Sequence, residues 1–219
     1  MERWCPVTEW VNLLVGLAMG LNLLALGSSR LPSVIRAMAV QGVVLGLIPV
    51  LMEGRFEWLV ALMAAVTVLL KGFLIPGLLR RAMRAANIDR EIEPLVGYVP
   101  SLLLGAGGTI VAVAVTYRLP LLPEHSHTLL VPGSLATIFT GFILLICRVK
   151  AISQVCGYLI LENGIYLFGL LLVRSTPFLV ESGILLDLAV GVFVIGIIVD
   201  RIQRAFDSLD TRKLTVLRE

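Results

Sequence analysis

The sequence predicts an all-α membrane protein, a polytopic bundle of about seven transmembrane helices. Of the 219 residues, 58% are hydrophobic and only 15% are charged, whereas soluble domains carry about 25% charged residues. The apolar residues fall into seven runs, each long enough to cross a hydrocarbon core of about 30 Å as a helix. None of the runs shows the strict alternation over about ten residues that is typical of barrel strands. Each span therefore satisfies its backbone hydrogen bonds internally, as a bilayer requires.

The helices follow from the runs and from the residues that break them. We predict helices at residues 10–27, 32–52, 57–77, 98–117, 129–147, 153–173 and 177–200. The first break reads GSSR at 27–30, the second reads EGR at 53–55, and Pro120 and Pro123 interrupt the chain after the fourth run. The connection at about 80–94 is too short for a soluble domain. The last predicted helix is followed by a tail at 201–219.

The basic residues predict the orientation in the membrane. With seven spans, four Lys and Arg residues lie on the face of the N-terminus and thirteen lie on the opposite face. Cytoplasmic loops carry the excess of Lys and Arg. We therefore expect the N-terminus outside and the C-terminal tail in the cytoplasm, in a multi-pass protein of the cell inner (plasma) membrane. The tail is either a helix at the interface, a frayed terminus or a docking segment for a partner.

Two carboxylates lie inside the last two predicted spans. Glu162 and Asp187 are about 14 and 15 Å from the ends of their helices, which places both near the midplane. A charged side chain at that depth costs roughly 2.5–3.5 kcal/mol on insertion scales, so such residues are functional by default. At one depth on neighbouring helices, the two carboxyls could exchange a proton through water. The alternative is that each is a neutral acid that holds helices together by a hydrogen bond.

Three further polar residues are candidates for the same proton or ion relay. Lys71 lies about 9 Å from the predicted end of the third helix. Its side chain either reaches that interface or stays buried and moves protons with a carboxylate. Gln41 falls near mid-depth of the second helix, where it either holds water or joins helices. Glu181 lies about 6 Å from the outer end of the seventh helix, and is either an exit site for protons or an interfacial residue.

The sequence shows no pattern of catalytic or cofactor-binding residues. Cys5, Cys147 and Cys156 form no Cys-x-x-Cys pair, which predicts packing residues rather than a cluster framework. His125 and His127 form a His-x-His in an outer loop, but two ligands alone are weak evidence for a metal. Phosphate-binding loops and the residue orders of hydrolytic triads are not found. Basic residues are not interleaved with aromatic ones, which argues against nucleic acid.

The segment GYLILENGIYLFG at 157–169 resembles the hydrogenase-4 component E family. That family is similar to the K-type subunit of respiratory complex I and to the C subunit of Mrp antiporters. The resemblance is best over 129–200, so it implies a K-type three-helix membrane unit there, after an N-terminal four-helix membrane region at 1–128 and before the cytoplasmic tail at 201–219. The family's Gly-rich helix with an acid and an Asn matches Gly157, Glu162, Asn163 and Gly164, with the acid one turn later than in the K-type subunit. In the next helix Asp187 is followed by small residues at 189 and 191. Nearer the N-terminus, AVQG at 39–42 and LLKGFLIPG at 69–77 resemble component E segments.

The resemblance implies a subunit without a catalytic centre of its own in an energy-converting hydrogenase-like complex. Such a subunit would link a hydrogenase or dehydrogenase arm, through other membrane-arm subunits, to a large antiporter-like membrane subunit. Iron–sulfur clusters and a nickel–iron centre would belong to the partners. Glu162 and Asp187 would belong to the chain of buried charges that moves protons or sodium ions. Two other functions are considered, a stand-alone secondary transporter, which usually shows paired broken helices, and a purely structural scaffold subunit.

Overall fold

The computed structural model describes residues 5–53, 57–85, 94–119 and 128–171, together with Gly196. The predicted seventh helix at 177–200, with Glu181 and Asp187, lies outside the described residues. The same holds for the tail at 201–219 and for His125 and His127. Within the described ranges every element is helical, which agrees with the predicted all-α class.

Six of the predicted helices are present in the structure. They are α1 (Cys5–Gly27), α2 (Leu31–Glu53), α3 (Trp58–Thr67) with the π-helical segment Val68–Leu74 and α4 (Ile75–Ala85), then α5 (Tyr98–Thr116), α6 (Leu130–Cys147) and α7 (Ala151–Gly169). Among the described residues, five spans are long and apolar enough to cross a membrane: Val7–Gly27, Leu31–Met52, Trp58–Arg84, Tyr98–Thr116 and Leu130–Cys147. Helix α7 is not one of these five, since polar residues such as Glu162 and Asn163 reduce its hydropathy.

The third predicted helix is longer than the sequence indicated. We expected it to end at residue 77, but α3, the π-helical segment and α4 form one continuous span that ends at Ala85. The additional turns are amphipathic, because Leu79 and Met83 are buried while Arg80 and Arg84 are exposed. A stripe of this kind at helical spacing favours continuation of the helix along the core. The predicted connection at 80–94 is correspondingly shorter.

The π-helical segment ends at Leu74, two residues before Pro76. A proline cannot donate to the carbonyl four residues earlier, and its ring crowds that carbonyl, so an ordinary α-turn is disfavoured there. A wider turn at this point is a π-bulge, a feature that is frequent at functional sites. Lys71 is a buried residue of this segment. It lies about 21 Å from the end of the span at Ala85, so the predicted distance of about 9 Å from a helix end is wrong.

Two apolar clusters occupy the two ends of the described bundle. The first apolar cluster includes Leu26, Ile35, Leu79 and Leu159. The second apolar cluster includes Val15, Leu45, Leu130 and Leu167. Along α1, α2, α6 and α7, the segment between the residues of the two clusters contains buried polar side chains, namely Asn22, Gln41, Thr137, Glu162 and Asn163. These buried polar residues therefore form one polar layer between the two apolar clusters.

Glycines bring α6 and α7 into backbone contact beside this polar layer. A Cβ atom added at Gly141 would lie 2.5 Å from the backbone nitrogen of Leu161. One added at Gly164 would lie 2.7 Å from the backbone nitrogen of Ile138. Real Cβ atoms do not approach so closely, so only glycine permits this spacing. The close approach fixes the segment 161–164, and Glu162 with it, against α6.

A second glycine contact sets α2 against the π-helical segment. A Cβ atom at Gly42 would lie 2.6 Å from Cβ of Lys71, and one at Gly72 would lie 2.6 Å from a side-chain methyl of Val43. The backbone of α2 therefore lies directly beside Lys71. Because Gln41 precedes Gly42, this contact also brings Gln41 to the depth of the lysine.

Candidate functional site

The centre of the bundle contains a buried ion pair between the third span and α7. Nζ of Lys71 lies 2.9 Å from Oε1 of Glu162, and the two side chains are 6% and 4% exposed. Glu162 lies about 16 Å along α7 from its first residue. The ring of Tyr166, one turn further along the same helix, has its centroid 5.5 Å from the ammonium nitrogen, within the range of a cation–π interaction.

The lysine also begins a chain of buried side-chain amides. Its ammonium donates to Oδ1 of Asn163 at 3.2 Å. Asn163 donates through Nδ2 to Oε1 of Gln41 at 3.2 Å, and Gln41 donates through Nε2 to Oδ1 of Asn22 at 2.9 Å. The chain thereby crosses from α7 to α2 and then to α1.

The chain of amide hydrogen bonds ends on a backbone carbonyl of α6. Asn22 donates through Nδ2 to the hydroxyl of Thr137 at 2.9 Å, and that hydroxyl donates to the carbonyl of Gly133 at 2.7 Å. An ammonium can only donate and a carbonyl can only accept. The direction of every hydrogen bond between them is therefore fixed. The amide oxygens of Asn163, Gln41 and Asn22 each accept the hydrogen bond that comes from the direction of Lys71.

This arrangement separates the groups that can exchange protons from those that only orient them. Side-chain amides and the Thr137 hydroxyl do not titrate in the physiological range. Within the described network, Glu162 and Lys71 are therefore the two side chains that carry an ionisable group. In the part of the chain that the structure describes, no three His, Cys, Asp or Glu side chains are grouped so that they could hold a metal.

The structure brings together three of the predicted site residues and leaves two outside its description. Lys71, Glu162 and Gln41 meet in the polar layer. For Lys71 the buried position holds and the interfacial alternative does not, since its ammonium points to α7. For Gln41 the structure favours the polar network that joins helices. Asp187 and Glu181 lie outside the described residues, so their part in a relay stays a prediction.

Sequence reasoning missed two members of the network. Asn22 and Thr137 are both buried, with 2% and 1% exposure. Thr137 lies in the middle third of α6, and Asn22 lies about 8 Å from the end of α1 at Gly27. The signal that could have found them is depth. Polar side chains inside several apolar spans, away from the span ends, suggest that these side chains meet, because an unsatisfied polar group in hydrocarbon is costly.

Sequence reasoning also missed the role of a buried arginine at the end of α6. Arg148 was counted only as one of the basic loop residues, but it is 3% exposed. It donates to the carbonyls of Leu26 at 2.8 Å and Val96 at 3.2 Å, and to the hydroxyl of Ser101 at 3.4 Å. Its guanidinium also lies 4.8 Å from the ring centroid of Tyr98. Arg148 therefore joins the end of α1 to the start of α5, where a cation complements the carbonyl end of α1.

The chain is 36% identical over 191 residues to the uncharacterized protein Rv0085 of Mycobacterium tuberculosis, a match that covers 86% of this chain and 87% of the relative. It is 28% identical over 152 residues to hydrogenase-4 component E of Escherichia coli K12, and equally to that of Shigella flexneri, covering 68% of each chain. No family model and no solved structure matches. The chain therefore belongs to the same family as the uncharacterized protein Rv0085, and it is distantly similar to hydrogenase-4 component E.

Proposed function

We propose that this chain is a non-catalytic membrane subunit of a hydrogenase-like, energy-converting complex, in which its buried charges take part in redox-coupled translocation of protons or sodium ions. The observation that carries the proposal is the Lys71–Glu162 ion pair, which is buried in the middle of the bundle. Apolar residues of similar volume are often at least as stable as a buried ion pair. A pair of charges kept at this depth therefore points to a function that uses charge.

The distant similarity to hydrogenase-4 component E supports the class of complex. In this proposal the partners are a large antiporter-like membrane subunit, other membrane-arm subunits, and a hydrogenase or dehydrogenase arm that carries the iron–sulfur clusters and the nickel–iron centre. The chain lies in the cell inner (plasma) membrane with seven spans, the N-terminus outside and the C-terminus in the cytoplasm. Residues 177–200 form the seventh span, and its Asp187 extends the relay from Glu162, with Glu181 nearer the outer surface.

The chemistry of this chain is the holding and release of a proton at one carboxylate. Glu162 takes up a proton on its carboxylate and later returns it to water or to a neighbouring acid. Lys71 and the amide chain keep that carboxylate at a fixed depth and orientation. The redox step belongs to the partners and supplies the energy that makes the exchange directional.

A structural scaffold is the second candidate, and the amide chain is the observation that favours it. Hydrogen bonds from Lys71 through Asn163, Gln41 and Asn22 to Thr137 join the third span with α7, α2, α1 and α6. Interhelical hydrogen bonds of this kind hold membrane bundles together, with an average worth of about 0.6 kcal/mol each. In a scaffold subunit, Glu162 would serve assembly only.

Purification of the tagged chain tests membership in the complex. The chain, tagged at its C-terminus, is extracted in mild detergent, and the proteins that remain bound are identified by mass spectrometry. We expect a large antiporter-like subunit together with iron–sulfur and hydrogenase-type proteins. A chain that is recovered alone would contradict the proposal and favour a stand-alone transporter.

The variant Glu162→Gln separates translocation from scaffolding. We expect the variant complex to assemble and to lose coupled ion transport, measured per assembled complex in inverted membrane vesicles. Glu57→Gln is the matched control, since Glu57 is exposed at the start of α3, and it should transport normally. Reduced assembly with unchanged transport per complex would identify a scaffold instead.

A further inference from the structure

We propose that the ammonium of Lys71 is a tethered cation that fills a cation site formed by Glu162 and Asn163, so that this site exchanges protons and excludes sodium ions. The inference rests on the proposed function, since it names the ion that the buried pair handles. It follows from where the oxygen atoms of the network lie and from what already occupies the space between them.

Two side-chain oxygens and an aromatic ring surround the ammonium of Lys71. Oε1 of Glu162 lies 2.9 Å and Oδ1 of Asn163 lies 3.2 Å from the ammonium nitrogen. Both come from consecutive residues of α7, so one helix presents a charged and a neutral oxygen to the same point. The ring of Tyr166 adds a third cation-binding group at 5.5 Å.

The direction of the amide chain strengthens this environment. Because the chain runs from Lys71 to the carbonyl of Gly133, the amide groups of Asn163, Gln41 and Asn22 are ordered head to tail with their oxygens toward the lysine. Hydrogen bonds in such a chain polarise one another in the same sense. The network therefore stabilises a positive charge at the position of Nζ even when Glu162 is neutral.

A sodium ion and a proton differ in what they need at this position. Sodium would need the oxygens that the ammonium already contacts, and it would lie against a like charge in a buried, weakly screened environment. A proton needs no such space, since it forms an O–H bond on the carboxylate of Glu162. That carboxylate becomes a neutral acid, and the Lys71 side chain stays in its position beside it. Release reverses the step and returns the proton to water.

Sodium binding to the purified full-length chain in lipid nanodiscs tests the proposal directly. The probe is radioactive sodium alone, measured by equilibrium binding. We expect no saturable binding to the wild type. Lys71→Ala removes the ammonium and leaves the oxygens, so we expect saturable sodium binding with an affinity at least about tenfold above the weakest affinity that the assay detects. The double variant Lys71→Ala with Glu162→Gln should lose that binding.

Two further measurements keep the test decisive. Lys71→Arg retains a tethered cation and should bind no sodium. The wild-type measurement needs no variant, so it holds even if Lys71→Ala does not fold. Saturable sodium binding to the wild type that Glu162→Gln abolishes would overturn the proposal, as would a folded Lys71→Ala variant that binds no sodium. Because the assay uses the purified chain alone, its result is independent of whether partners co-purify or transport is coupled.

Discussion

Removing both members of the Lys71–Glu162 pair should destabilise the protein by clearly less than the sum of the two single removals. We consider the variants Lys71→Met, Glu162→Gln and the combination of the two. Methionine has a similar length to lysine and no charge, and glutamine has nearly the shape of glutamate. The two substitutions therefore change charge with little change of volume, and their combination leaves the polar layer electrically neutral.

The expected magnitudes follow from burial and from the partners that remain. Both side chains are more than nine-tenths buried and their charged atoms lie 2.9 Å apart. Breaking a buried pair by removing one partner typically costs about 3–5 kcal/mol, because an uncompensated charge stays behind. We expect this cost for Lys71→Met. Glu162→Gln should cost less, about 1–3 kcal/mol, since the new amide oxygen can still accept a hydrogen bond from Lys71.

The measured quantity is the free energy of unfolding of the full-length chain in mixed micelles. Unfolding is monitored by the loss of the helical signal. The double variant should cost at least about 2 kcal/mol less than the sum of the single variants, which is the signature of directly coupled residues. Arg81→Met is the control, because Arg81 is exposed and a surface change should fall within about 0.5 kcal/mol. Single costs that add within about 0.5 kcal/mol would refute a coupled buried pair.

Three further changes test the packing around the site. Gly141→Ala should cost about 1–3 kcal/mol in unfolding free energy, because its Cβ atom would overlap the backbone of α7, whereas Gly107→Ala meets nothing within 4 Å and should be neutral or slightly stabilising. Arg148→Met should cost about 1.5–3 kcal/mol through lost hydrogen bonds of a charged donor, while the same change at the exposed Arg118 should have little effect; equal costs would contradict the buried role. Gln41→Leu should cost about 1–3 kcal/mol by leaving amide groups unsatisfied, and a stabilised variant would contradict the amide chain.

The class of fold could be predicted from the sequence because the physics of the bilayer is local. Apolar runs of spanning length predict helices without knowledge of their neighbours, and the described helices lie within a few residues of the predicted ones. The exception is the end of the third span, where Arg80 and Arg84 indicated a loop. The helix continues instead, because Leu79 and Met83 form a face that packs on the core. That packing depends on neighbouring helices, which the sequence of one apolar run does not reveal.

The site could be predicted only as a set of candidate residues. Glu162, Lys71 and Gln41 are conspicuous because each is polar within an apolar run. Which of them meet depends on helix rotation and on the glycine contacts that set α2 against Lys71, and neither can be read from one helix at a time. Asn22 and Thr137 were not predicted as members of the network for the same reason. An uncharged polar residue in a span gives no functional signal until its partner is known.

The central claim is that Glu162 exchanges a proton, and difference infrared spectroscopy measures that exchange directly. Spectra of the full-length chain in nanodiscs are compared before and after a step from alkaline to acidic pH, for the wild type and for Glu162→Gln. We predict that the wild type gains a signal of a protonated carboxyl group that the variant lacks. Identical carboxyl signals in the two proteins would contradict the account, since they would mean that Glu162 does not take up a proton.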